Sequence, residues 1–271
     1  NNTVGFNFSG PIVKNKLFFC INFEFESDVV PGNTRLARKD ATGEWGGSTQ
    51  YNRPTVAFMD EVKSYLSSKY NYDPGRYADY SASTPDWKLF VRLDWLINEN
   101  HKLTARFSKT MNKYSSSPSS SVSGLTTVSG YSNTRNNSGR VSNNALYFES
   151  NRYFQEQNYT SFAAELNSRF FGGRGNNILR VTYSKQYEPR SYVGNLFPTV
   201  DIFDSTGLEG TKLTDQEKTN AVITSFGLDP FTYGNLRDAS NVVATDEFTF
   251  NAGSHTLLGG LSYEFNKAIN G

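Results

Sequence analysis

A run of nine residues, Trp87 to Trp95, restricts the fold more than any other feature of this chain. Trp87, Leu89, Val91, Leu93 and Trp95 alternate with Lys88, Phe90, Arg92 and Asp94. Strict period-2 alternation marks a β-strand with one apolar and one polar face, because successive side chains point to opposite sides of the sheet. Asn98-Glu99-Asn100-His101 reads as a turn, after which Leu103, Ala105 and Phe107 alternate with Thr104, Arg106 and Ser108. The two runs together predict a hairpin.

The same pattern recurs along the chain. Val4, Phe6 and Phe8 precede a polar turn at 13–16, and Leu17, Phe19, Ile21, Phe23 and Phe25 follow it. Phe162, Ala164, Leu166 and Phe170 lead through the Gly-rich 171–177 to Leu179, Val181 and Tyr183. Phe248 and Phe250 lead through 252–255 to Leu257, Leu261, Tyr263 and Phe265. Four connections are short, and three are long: 29–85, 115–145 and 191–240. Short and long alternate if 146–170 is one extended strand; a hairpin near Gln155-Glu156-Gln157-Asn158 would break the alternation. The reading is an all-β, antiparallel up-and-down meander of about eight strands. Tight turns at one end and long loops at the other are the asymmetry of an outer-membrane barrel. In the first long loop, Pro54 suits a first helical position, and Val56, Met59, Val62 and Leu66 recur at helical spacing, which predicts a short helix over 54–70. Residues 115–142, rich in Ser, Asn and Gly, read as a mobile surface loop.

Composition agrees with a barrel wall. Hydrophobic residues make up 37% of the 271, while aromatics reach 15%, mostly 21 Phe and 16 Tyr. Barrel strands bury only every second residue in lipid and carry aromatic girdles, so a mean hydropathy of −0.56 fits them. Net charge is +1, and no basic stripe suggests nucleic acid. One Cys and two His leave no disulfide framework and make a Cys/His metal site improbable. No stretch approaches the ~18 apolar residues of a membrane-spanning helix. The chain opens in mid-strand at Asn1-Asn2-Thr3-Val4, so it is expected to be a segment of a longer protein.

The first hairpin carries a specific motif. Gly10, Pro11, Ile12, Lys14, Lys16, Leu17, Phe18 and Phe19, followed by Asn22 and Glu24, resemble the signature of the barrel of TonB-dependent outer-membrane receptors, particularly the Oar-like subgroup. Cys20 replaces the usual aromatic or aliphatic residue. The runs Val91-Arg92-Leu93-Asp94-Trp95, His101-Lys102-Leu103-Thr104, Asn195-Leu196-Phe197-Pro198 and Ser254-His255-Thr256-Leu257 are similar to further family patterns. The resemblance implies uptake of a large nutrient such as a peptide, glycan or metal chelate. It also implies a barrel of about twenty-two strands, of which this single partial domain would supply roughly a third. The plug domain, the energy-coupling box and the terminal aromatic strand are not found in the sequence. The partners implied are outer-membrane lipid, the protein's own plug, a TonB-type complex engaged through the missing N-terminal part, and an unknown large ligand. No cofactor and no bond-making chemistry are expected.

Glu24 and Glu26 share a face, and paired carboxylates can do acid–base work. With Arg92, Asp94, Arg106 and Arg180 expected on neighbouring inward positions, a wet network facing the lumen and plug is the better reading. Asp201, Asp204 and Glu209 lack the spacing of a calcium loop and read as solvated acids. Gly172-Gly173-Arg174-Gly175 is not a phosphate-binding loop, since no Gly-Lys-Ser/Thr follows, and reads as a tight turn. His101 and His255 fall in turns without a nucleophile at recognisable spacing. The aromatics of the first long loop, Trp45, Tyr51, Tyr65, Tyr70, Tyr72, Tyr77 and Tyr80, suit either a ligand surface or the packing of the loop on itself. Two other readings of the chain are a passive porin or adhesin barrel and a soluble carbohydrate-binding β-sandwich. The sandwich requires the Phe/Leu faces to pack on each other, whereas the barrel requires them to face outward.

Overall fold

In the computed structural model, which describes residues 2–119, 139–213, 215, 218 and 221–271, the alternating segments are long strands. In chain order, β1 (Asn2–Val13) and β2 (Leu17–Pro31) precede the short β3 (Leu36–Arg38) and β4 (Tyr51–Thr55) and helix α1 (Val56–Tyr70). Next come β5 (Ser81–Leu96), β6 (His101–Ser116), the two-residue β7 (Leu146–Tyr147), β8 (Tyr153–Phe170) and β9 (Gly175–Tyr192). The short β10 (Val200–Phe203) and β11 (Val222–Phe226) then lead to β12 (Leu236–Ala252) and β13 (His255–Asn270). Eight strands form one sheet in the order β1-β2-β5-β6-β8-β9-β12-β13, antiparallel throughout. The fold is the expected all-β meander. β1 and β13 are its two edges and do not pair with each other.

Register sorts the sheet into two faces. One ladder row reads Phe8, Ile21, Val91, Phe107, Phe162, Tyr183, Val242 and Phe265 across all eight strands. The next residue on each strand gives a row on the opposite face: Asn7, Asn22, Phe90, Ser108, Ser161, Ser184, Asn241 and Asn266. Neither face is covered. The long strands contribute only Ala82 to the buried hydrophobic residues, while Phe8 is 63% and Leu261 82% exposed. The apolar faces do not pack on each other, so the sandwich architecture is not the one formed.

The short turns do not lie level in the ladder. Take the row Leu17–Trp95–Leu103–Leu166–Leu179–Asp246–Leu261 as a baseline. The last paired residues of the four hairpins are Val13/Leu17, Leu96/Lys102, Phe170/Gly175 and Ala252/His255, which lie zero, one, four and six residues beyond it. Hairpins are two strands apart, so the stagger is about one residue per strand. With a rise of ~3.4 Å per residue and a strand spacing of ~4.8 Å, strands whose turns share a plane would tilt by about 35°. That is the slope at which sheets close into barrels. The apolar belt drifts the same way. It runs from Trp87 to Trp95 on β5 and from Val242 to Phe250 on β12, where Asp246 interrupts it, four rows nearer the short turns.

The buried core lies in the long connections. Met59 and Leu66 of α1, Tyr72, Leu146, Phe148 and Phe226 form one cluster drawn from all three connections. β7 joins β10 and β11 in a small sheet, which links the second connection to the third. Arg53, 1% exposed, ties all three together. Its backbone N–H and Nε donate to the carbonyls of Asn143 and Asn144, and Nη1 donates to Thr206, with Asp204 3.6 Å away.

Three expectations change. The helix starts at Val56, not Pro54: Pro54 belongs to β4, and the Thr55 hydroxyl caps the helix by accepting from the Phe58 N–H at 3.2 Å. Residues 146–170 are not a single strand. β7 and a 3-10 turn at Glu149–Asn151 precede β8, because Leu146 and Phe148 are drawn into the loop core. No hairpin forms at 155–158, so the alternation of turns and loops survives. The loop reading of 115–142 lies partly outside the described residues. Where described, it is overturned at Arg140 and Ser142, which are buried.

Gly227 marks where these connections meet. Its φ is +79°, and a Cβ there would lie 1.9 Å from the Pro198 carbonyl oxygen. Gly227→Ala is expected to cost the loop assembly at least ~2 kcal/mol. Near-UV circular dichroism should report this loss, while the infrared signature of the long strands stays unchanged.

Candidate functional site

The residues that alternation assigned to the inward side share one face of the sheet, the polar one. Glu24, Glu26, Arg92, Asp94, Arg106 and Arg180 all occupy the face that bears Ser108 and Ser161. The structure adds partners that alternation did not single out. Lys88 Nζ lies 2.8 Å from Glu24 and 3.8 Å from Asp86. The Arg92 guanidinium forks onto both oxygens of Asp94 at 2.7 and 3.0 Å, and the same carboxylate accepts from Thr104 at 2.9 Å. Lys102 stands 3.6 Å from Asp94, and Arg180 lies 2.8 Å from Glu165. Arg106 is opposite Arg92 and makes no ion pair among the described residues. Four cations, Arg92, Lys102, Arg106 and Arg180, thus face two carboxylates around a recess of about 300 Å³. Glu24, of the Glu24/Glu26 pair, is ion-paired with Lys88.

The family-motif residues build the first hairpin. Gly10 sits opposite Phe19, and Pro11 opposite Phe18 just before a register shift between Pro11 and Val13; β1 is an edge strand of this sheet, a position where proline is tolerated. Asn15 takes φ +58° between Lys14 and Lys16, and the Lys16 N–H closes the turn onto Val13. Leu17 pairs with Trp95, which joins this hairpin to the next.

The loop aromatics divide between the two readings. Tyr72 stacks on Phe197 at 4.0 Å and is buried. Tyr80 is buried over Gly32, with the guanidinium groups of Arg76 and Arg152 5.7 and 5.1 Å from its ring centre. Tyr77 packs edge-on against Phe148 and donates to Asp60 at 2.8 Å. These three are packing residues. Tyr65 and Tyr70 are exposed on the rim of an apolar groove of about 740 Å³ between α1 and β10, floored by Val62, Val200 and Ile202. Trp45 lines a separate polar cleft, and Tyr51 is exposed nearby, its carbonyl accepting from the Gly46 N–H.

Sequence reasoning missed the buried charges. Asp201 is no solvated acid: Arg140 grips both its oxygens at 2.7 and 2.8 Å, and both side chains are 3% exposed. Nothing in the Ser/Asn-rich stretch around Arg140 advertises this partner 61 residues away. The Gly172 region is a tight turn, with Phe171, Gly172 and Gly173 all at positive φ. His101 begins β6 instead of lying in the turn, with Nδ1 2.8 Å from the Ser168 hydroxyl, and His255 begins β13. Among the described residues, no group of His, Cys, Asp and Glu is placed to hold a metal.

No family model and no curated protein matches the chain. Among solved structures it is similar to the siderophore receptor PiuA from Acinetobacter baumannii. That likeness covers 98% of this chain and 38% of the receptor, at a TM-score of 0.35 and 11% identity. The chain thus spans well under two thirds of that receptor, and a likeness this loose carries no functional weight by itself.

Burial, and then the Asp60 carboxylate, push the Tyr77 phenol from 10.0 up to about 12, and burial raises Tyr72 and Tyr80 as well. A raised phenol favours the folded state while it stays neutral. The loop assembly is therefore expected to keep this contribution below pH 10 and lose it as the pH climbs through about 12. A tyrosinate absorbance titration followed with near-UV dichroism checks this; all tyrosines ionising together near pH 10 would contradict it.

Proposed function

We propose that this chain is a stretch of the wall of a bacterial outer-membrane transport barrel of the TonB-dependent kind. The observation that carries the reading is the pairing of two-faced rows with a steady stagger of the short turns. A row such as Phe8 to Phe265 supplies a lipid-facing surface, and its neighbour from Asn7 to Asn266 supplies a wet lumen. The eight steps from Trp87 to Trp95 run ~27 Å along the strand. Tilted as the stagger requires, they span about 22 Å of membrane, close to the ~25 Å height of a barrel's apolar band. Uncovered faces and two unpaired edges suit a sheet completed by lipid and by further strands.

On this reading the four-cation recess faces the lumen and seats an acidic part of a plug. Arg106, exposed and without an ion pair among the described residues, is the natural anchor, because its guanidinium presents a fork of donors to a carboxylate. The packed long connections form the outward capture surface for a large nutrient. The protein moves its ligand and transforms nothing. Energy coupling would run through a plug and a TonB-type complex outside these 271 residues.

The test is insertion into bilayers carrying a lipid-soluble quencher. Trp87 and Trp95 are expected to be quenched and Trp45 spared. Phe107→Arg, on the apolar face, should cost ~2–4 kcal/mol and impair insertion, while Ser108→Arg on the other face is tolerated. A soluble compact monomer, or equal tolerance of the two substitutions, would overturn the wall.

A further inference from the structure

We propose that the cleft beside Trp45 binds a neutral oligosaccharide. This names the ligand class of the capture surface and rests on that reading of the long connections. The cleft encloses about 690 Å³ between the first, second and third connections. That is within the ~300–1,000 Å³ of small-molecule sites, room for a few linked rings and not for a folded partner.

Its walls are held firmly. The Gly46 N–H donates to Tyr51, and the Thr49 N–H and hydroxyl both return to the Gly46 carbonyl, which fixes the turn after Trp45. The Asn143 carbonyl is pinned by the Arg53 N–H. Leu208, fully buried, anchors the turn that presents Glu209 and Lys212. At the mouth, Gly47, Gly207 and Gly210 leave open space where any other residue would carry a side chain.

The groups lining this space are unoccupied by the protein itself. Among the described residues the Trp45 indole N–H, the Asn143 amide, the Glu209 carboxylate and the Lys212 ammonium have no hydrogen-bond partner, yet they converge on one cleft. Their chemistry selects the ligand. Trp45 offers a flat apolar platform with a donor at its edge. The amide both donates and accepts, the carboxylate accepts and the ammonium donates. A pyranose ring matches this set, since one face exposes C–H groups and its rim carries hydroxyls that donate and accept. Glu209 and Lys212 cancel in charge, so a free anion such as phosphate or an anionic metal chelate gains little. The groove under Tyr65 and Tyr70 is more apolar, with Glu61, Ser64 and Ser68 among mostly aliphatic and aromatic side chains.

The test uses the full chain in detergent micelles, titrated calorimetrically with cellohexaose, xylohexaose and mannohexaose. Inorganic phosphate, ferric citrate and a neutral tripeptide serve as counter-probes. At least one hexasaccharide is expected to bind with a Kd of about 1 mM or tighter. Trp45→Ala should weaken it by about tenfold or more, the scale of one lost stacking contact. Trp45→Phe should recover most of that loss, and Glu209→Gln should weaken binding without changing the near-UV dichroism. Absence of binding by all three sugars overturns the proposal. So does sugar binding that Trp45→Ala leaves unchanged, or preference of the cleft for phosphate, chelate or peptide. Lipid quenching of Trp87 and Trp95 is read in parallel. Sugar binding without quenching would remove the wall and leave the cleft, and quenching without sugar binding would do the reverse.

Discussion

Sideways hydrogen bonding between long strands is the constraint on which everything else depends. A sheet whose two faces are both uncovered gains no stability from a core, so its backbone groups must be satisfied within the ladder. Register then settles which side chains share a face, and a slip of one residue would exchange the two. The matched rows from β1 to β13 show no such slip on the paired stretches between Phe8 and Phe265. The aromatic contacts Phe6–Phe23 and Phe8–Phe19 reinforce the first pairing on its apolar side.

The loop assembly follows the opposite logic. Its strands are too short to hold themselves, so it relies on burial and on charged groups that reach across it to distant acceptors. Arg53 and the Arg140–Asp201 pair act as clasps between segments far apart in sequence. Such buried ions are costly to strip of water, and they are tolerated because several acceptors meet each guanidinium. The three long connections consequently behave as one body, with Trp45 and Tyr65 on different parts of its surface.

The meander was legible in the sequence because period-2 alternation is a local signal that tertiary packing here reinforces. The four hairpins and the shared face of the residues from Glu24 to Arg180 follow directly from it. The helix was visible at Met59 and Leu66, but its start was not, because a proline's preference for the first turn was outweighed by the Thr55 cap. What could not be read was the loop core. Tyr72, Tyr77 and Tyr80 have the same composition signature as a binding surface, and only long-range packing against Phe197, Phe148 and Gly32 separates the roles. The cleft at Trp45 draws on residues nearly 170 positions apart, between Trp45 and Lys212, and no local motif announces such a convergence.

The stagger of the hairpins also changes what position in the ladder means. Phe23 and Lys267 belong to one row, joined through Leu89, Lys109, Thr160, Lys185 and Ser240. On the proposed barrel wall, tilted strands would place the two ends of that row at different depths, so an aromatic ring at one end and an ammonium group at the other would both be at home. The surface is graded obliquely: neighbours by hydrogen bond are strangers by environment, and equal environment runs along a diagonal that steps about one residue per strand.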